Sequence, residues 1–412
     1  MMRRILISAV ALLVVAGVAA ALSLISPMRR PAPAAVDLPR AAKLTCSLPG
    51  DVVVEGEGTP TVTPVAGGDS VDAAPGTAVA ASTPVNVRAD GDIAAGVVVA
   101  GTPRLFAPCA SPTTTGVLLI DDPATAELLL TNADAAEASV DLRLIGPDGE
   151  LSPVGSRGIA IAPGVTRPVA LSILAPEGPV AVVYSTSHGR VAAVARNVEG
   201  RAARVVTPTD LREEHLIAGV PAGASSVKLL VTNPTENRVN VTTTAMGPGG
   251  SYEPASTTGL TLAPMTSQIV DVTADLSGEA STLRVVGDGE LGASVITQVG
   301  TGAPTTLTDS ASVTDLMGAA PSGATLQLTN PGTAAATVQT SEPGGEARTP
   351  VTIPAGATLA VESTARLRVT SETPLVGAMV VAGDEGAVVV PLAPAAGTPA
   401  SPGTTVLDPE LR

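Results

Sequence analysis

The chain carries Leu128-Leu129-Leu130-Thr131-Asn132, Leu229-Leu230-Val231-Thr232-Asn233 and Leu326-Gln327-Leu328-Thr329-Asn330, one short run ending in Thr-Asn written three times. The marker asparagines stand 101 and then 97 residues apart, about the length of one small β-sandwich, so the sequence reads as a set of copied modules. The copies agree beyond the marker. Each continues into an alternating segment (residues 138–144, 239–244 and 336–340) and then a turn at Gly146-Pro147, Gly247-Pro248 or Pro343-Gly344, which is the pattern of strand, turn, strand. A second turn signal follows at Ala162-Pro163-Gly164, Ala263-Pro264-Met265 and Pro354-Ala355-Gly356. Each copy then closes on two β-branched runs separated by Ser187-His188-Gly189-Arg190, Gly287-Asp288-Gly289-Glu290 or Ser371-Glu372-Thr373-Pro374, read as a closing hairpin.

A divergent copy precedes these three. Ala74-Pro75-Gly76 matches the second turn signal, and residues 85–93 followed by 95–99 match the closing hairpin, with further strands expected at 44–47 and 51–55. The expected organisation is an N-terminal apolar segment at 1–26 and a Pro/Ala-rich spacer at 27–40. A divergent sandwich at 41–115 follows, then full repeats at 116–208, 209–308 and 309–393 and a tail at 394–412. The fold class is all-β: tandem Ig-like sandwiches, three full and one divergent, after a single N-terminal transmembrane helix.

Composition narrows this further. The 42 glycines and 37 prolines disfavour helix interiors, so helix is expected only in the first 26 residues. Phe106, Tyr184 and Tyr252 are the whole aromatic inventory, so the cores must be aliphatic, each side chain contributing about 1.5–3 kcal/mol on burial. The core tryptophan of immunoglobulin domains is missing, and "Ig-like" means sandwich geometry alone. A net charge of −15 opposes nucleic-acid binding, which needs clustered Lys or Arg. It suits an elongated, apolar-rich array that must stay soluble.

Met1-Met2-Arg3-Arg4 precedes an uncharged stretch at residues 5–25. As a helix, these 21 residues span about 31 Å, matching a bilayer core of about 30 Å. The small residues Ala19-Ala20-Ala21 also fit a cleaved signal peptide, and both readings stay open. Arg3 and Arg4 are balanced by Arg29 and Arg30, so charge does not orient the segment. The two cysteines, Cys46 and Cys109, bracket the divergent module. An even pair behind an export leader points to a disulfide formed in an oxidising compartment.

No grouping of side chains suggests catalysis, a metal or a cofactor. The densest polar cluster, Asp210-Leu211-Arg212-Glu213-Glu214-His215, aligns with Thr314-Asp315-Leu316 between later copies and reads as a solvated inter-domain linker. His188 falls at a predicted hairpin tip, where its sibling copies carry Gly289 and Thr373. Gly155-Ser156-Arg157-Gly158 lacks the spacing of a nucleophile elbow. Asp121-Asp122 would point to opposite faces of a strand. Asp90-Gly91-Asp92 and Asp288-Gly289-Glu290 offer too few oxygens for calcium. The marker asparagine is expected to cap a turn and to tolerate left-handed backbone.

The charged start, the single apolar helix, the cysteine-bracketed module and the Leu-x-Leu-Thr-Asn-Pro repeats together resemble an actinobacterial family of membrane-anchored envelope proteins, the domain-of-unknown-function family DUF5719. No catalytic or binding residue comes with that resemblance. It implies a place at the outer face of the membrane, in a glycan-rich wall. The expectation is therefore a non-enzymatic, membrane-anchored extracytoplasmic array without cofactor or nucleic-acid partner, serving as a structural, scaffold or interaction protein for envelope or cell-wall assembly proteins. The alternative is a wall-glycan-binding module, for which an exposed Tyr184 or Tyr252 would be the discriminating feature.

Overall fold

The computed structural model describes residues 42–395, apart from residues 57, 92, 100–104, 198–203, 321–322, 344 and 384–385. The expected apolar helix, the spacer and the tail beyond residue 395 lie outside the described residues. Among the described residues no helix is long and apolar enough to cross a membrane.

The described chain is β-structure joined by turns, as the Gly, Pro and β-branched composition demands. Helix does occur after residue 26, against expectation, but only as the single turns Leu171–Leu174 and Thr273–Leu276 and the 3-10 turns Pro123–Thr125 and Ala255–Thr257. The strands group into four successive two-sheet units, each closed around an aliphatic cluster.

In the first unit, Ala42–Cys46, Val85–Ala89, Thr61–Pro64 and Val71–Asp72 pair in that order, facing a sheet of Ala78–Ala81, Gly50–Gly56, Ile93–Val99 and Leu105–Pro108. In the second, Thr166–Ala170, Ala126–Thr131, Ala192–Asn197 and Val205–Val206 face Gly149–Leu151, Ala138–Gly146, Val180–His188 and Thr115–Ile120. The segment Ala138–Gly146 alternates strictly between buried and half-buried over its first six residues, the period-two signature of a strand with one face on the core.

The predicted closing hairpins are not hairpins. Val180–His188 pairs with Ala138–Gly146 and Thr115–Ile120 in one sheet, whereas Ala192–Asn197 pairs with Ala126–Thr131 and Val205–Val206 in the other. The chain crosses between sheets at 188–191 instead of folding back. Val85–Ala89 and Ile93–Val99 divide between the two sheets of the first unit in the same way. In the third and fourth units the crossing is one unbroken strand, Ser281–Val299 or Arg366–Gly383, whose two halves belong to different sheets. At the third-unit corner Gly287 has no space for a β-carbon, which would lie 2.3 Å from Leu291 Cδ2. The Asn240 side chain and backbone N–H both donate to the Asp288 carboxylate, at 2.7 and 2.8 Å, pinning the bend.

Two further expectations fail. Residues 210–215 are not a linker: Arg212–Val220 is a full strand paired to Ser281–Val299, and Thr314-Asp315-Leu316 falls inside the equivalent strand Val313–Ala319. The expected tail begins too early, because Ala393–Pro394 pairs with Met317 and Leu316.

The marker runs are apolar on consecutive residues because both strand faces are covered. Leu128 and Leu130 enter their own core, while Leu129 packs on Leu48 and Ala107 of the first unit. Leu229 and Val231 do the same in the third unit, with Leu230 meeting Val117 and Leu119 of the second. The fourth unit shares Ala378, Val380 and Val389 with the core of the third. It also returns to the first, whose Phe106 packs on the fourth unit's cluster. The linear array expected from the repeats is thus a closed circuit of contacts.

Candidate functional site

The marker asparagines Asn132, Asn233 and Asn330 are fully buried. In each, Nδ2 donates to the carbonyl four residues on, Ala136 at 2.7 Å, Asn237 at 2.6 Å and Ala334 at 2.8 Å. The same nitrogen reaches the carbonyl of Ile161 at 2.9 Å, Ala263 at 3.0 Å or Ile353 at 3.1 Å, at the second turn signal. Oδ1 accepts the N–H two residues on, from Asp134, Thr235 or Gly332, each at 3.0 Å. One side chain closes its own turn and ties it to the next, as the capping expectation held. The left-handed residue, however, is not the asparagine: it is Gly164, Met265 or Gly356, at φ of 73°, 54° and 65°.

Two of the three marker threonines, Thr232 and Thr329, belong to joints between units, whereas Thr131 meets Thr166 inside its own unit. Thr358 donates its single hydroxyl proton to Met246 O of the third unit at 2.6 Å, so Thr329, 2.7 Å away, must donate to Thr358. Thr282, 2.7 Å from Thr329, then donates in turn, giving a directed chain of three buried hydroxyls. One joint earlier, Ser267 donates to Ile145 O of the second unit at 2.7 Å and lies 2.9 Å from Thr232. At the joint between the first and second units Lys43 bridges to Asp134 at 3.1 Å, and the two cations beside Asp134, Arg190 and Lys43, hold its carboxyl below the usual range against the opposing effect of burial.

The last joint is ionic. Arg366 of the fourth unit donates to both carboxylate oxygens of Glu55 in the first, at 2.6 and 2.8 Å. Glu55 retains 3% side-chain exposure and Arg366 37%. A β-carbon at Gly76 would lie 2.4 Å from Arg366 Cδ, so the absence of a side chain there gives the guanidinium stem its path. The bond to Glu55 raises the Arg366 pKa further above its ordinary value.

Cys46 and Cys109 form a disulfide that joins the end of the first strand to the segment after Leu105–Pro108 in the opposite sheet. His188 is exposed where its strand leaves the sheet. His215 is fully buried; its only acceptor partner is Leu291 O, at 2.9 Å, so Nε2 carries the hydrogen and Nδ1 is a bare, unpartnered lone pair. Burial lowers its pKa. Neighbouring Asp309 accepts the Leu216 N–H at 2.8 Å and Arg212 at 2.9 Å, and burial raises its pKa in spite of them. The sequence placed His215 in solvent because the strand around it begins Arg-Glu-Glu, three exposed residues before the first buried one.

Tyr184 retains 1% exposure, with its hydroxyl 2.6 Å from Thr113 Oγ1, and cannot serve as a sugar platform. Tyr252 retains 37%, held by donation to Asp275 O at 3.1 Å. Among the described residues, His, Cys, Asp and Glu form no group of three able to hold a metal ion.

A sequence model for a protein family described as a family of unknown function, DUF5719, matches residues 65–364, which is 300 of the 412 residues. The match runs from the first unit into the fourth and takes in all three markers. No curated protein matches the chain.

Proposed function

The chain belongs to the DUF5719 family of unknown function, and from its own residues we propose that it is a non-enzymatic scaffold of tandem Ig-like β-sandwiches, held at the outer face of a bacterial membrane by its N-terminal apolar segment. In this reading the envelope is of the actinobacterial type, and the partners are envelope or wall-assembly proteins. The observation that carries the proposal is the Cys46–Cys109 disulfide, which belongs to an oxidising compartment. It agrees with the uncharged stretch at 5–25. Glu55, Arg366 and the threonines are occupied in holding units together, which suits a scaffold whose contact surfaces are sheet edges.

Protease treatment of intact spheroplasts, followed by a non-reducing gel, tests the placement. The expected result is digestion of the mature chain from outside and a bonded cysteine pair. Protection from protease together with two alkylatable thiols would refute it. A pull-down from solubilised envelope tests the scaffold role, and the absence of any reproducible protein partner would count against it.

Wall-glycan binding is the second reading and rests on Tyr252 alone, the exposed tyrosine. Co-sedimentation with purified wall, abolished by Tyr252→Ala, is its expected result.

A further inference from the structure

The joint between the first and fourth units contains a cavity of about 340 Å³. Small-molecule sites run from roughly 300 to 1,000 Å³ and favour such junctions. Its walls are largely carbon: Leu44, Ile93, Ala94 and Phe106 on one side, Val390 and Leu392 on the other. Phe106 is fixed there because Gly96 leaves room for its ring, which would stand 2.0 Å from a β-carbon.

Two carboxylates reach the lining, and both are committed. Glu55 is held by Arg366, and Asp309 by Arg212 and the Leu216 N–H. Among the described residues no lysine or arginine lines the cavity. Apart from these, the described lining offers one polar side chain, the Ser310 hydroxyl, so a small uncharged polar group finds a partner whereas a largely polar occupant would be desolvated at a cost in free energy. An anionic occupant would in addition meet the two carboxylates, with no cation among the described lining residues to offset them.

We propose that this cavity binds one unbranched alkyl chain carrying an uncharged head group. The binding is a property of the joint and does not depend on the scaffold reading. The test is photolabelling of the purified full chain with a decyl alcohol bearing a terminal diazirine, and mapping of the labelled peptides. Label is expected on both walls, near Leu44 and Ile93–Ala94 and near residues 390–394. Filling the cavity by Ala94→Leu, Ala319→Leu or both should cut labelling at least tenfold, whereas Ile173→Ser, at an exposed site in the second unit, should not. Retention of the Cys46–Cys109 bond and of the melting temperature shows that each variant is folded. The single variants, and the wild-type labelling map by itself, decide the matter should the double variant not fold. Unlabelled 1-decanol should compete at a concentration at least tenfold lower than decanoate. Label scattered over the surface, or labelling unchanged in the filled variants, would overturn the site. Equal competition by decanoate would overturn the head-group assignment.

Discussion

Asn233 makes three kinds of bond from one buried amide. Removing it leaves the Thr235 N–H without a partner and takes one of two donors from each of two carbonyls, Asn237 O keeping the Thr235 hydroxyl and Ala263 O the Thr266 hydroxyl. An unsatisfied buried N–H costs about 1–3 kcal/mol and each further hydrogen bond lost about 0.5–1.5 kcal/mol, so Asn233→Ala should lower stability by about 2–4 kcal/mol. Chemical denaturation measures this, and the same substitution at exposed Asn237 is the control. Met265 occupies the left-handed position that glycine fills at 164 and 356. A side chain there costs about 1–2 kcal/mol, part of which glycine returns as entropy of the unfolded chain, so Met265→Gly should raise stability by up to about 1 kcal/mol. A fall in the denaturation midpoint would contradict that reading. The asparagine's role was legible from its place at a strand end. The position of the strain was not, because a methionine in a turn does not announce left-handed backbone and only comparison with Pro163-Gly164 exposes it.

Strands were largely legible as segments and poorly legible as pairings. Gly287-Asp288-Gly289-Glu290 has the composition of a hairpin turn, and nothing local says that residues 292–299 pair with a strand of the opposite sheet. The strand at Arg212–Val220 hid because three exposed charged residues open it. Its buried His215 makes a pH prediction. Burial puts the folded pKa below the ordinary 6.5, so the neutral ring's contribution is fully present above about pH 6.5 and is lost as pH falls toward the folded value. Asp309 has the opposite sign: its folded pKa lies above 3.8, and the folded state takes up that proton first as pH drops. His215→Gln keeps a donor for Leu291 O without titrating. Between pH 7 and 5.5 the wild type should therefore lose about 1 kcal/mol more than this variant in parallel unfolding curves. Parallel losses would remove His215 as the cause. The disulfide constrains the smallest core, that of the first unit. Its loop of about 64 residues implies about 4 kcal/mol on the chain-entropy account. Reduction should accordingly unfold the first unit before the others, seen as early hydrogen exchange in residues 42–99.

At the scale of the molecule, the repeats announced how many modules there are and concealed how they meet. A period near 100 residues reads as beads in a line, and the contact between the first and fourth units combines the packing of Phe106 with the pair Glu55 and Arg366, 311 positions apart and outside any repeated motif. The covered second face of the marker strand was visible in hindsight as three consecutive leucines at 128–130, where a strand with one wet face would alternate. What remained illegible is the ionic joint, since a lone Glu and a lone Arg in separate modules carry no pattern. Closure of the circuit is the central claim, and a double-mutant cycle on Glu55→Ala and Arg366→Ala, read by equilibrium unfolding, tests it most directly. With one partner buried and the other about one-third exposed, and so partly screened, the predicted coupling is about 1–3 kcal/mol. A coupling indistinguishable from zero would mean that the first and fourth units do not hold each other.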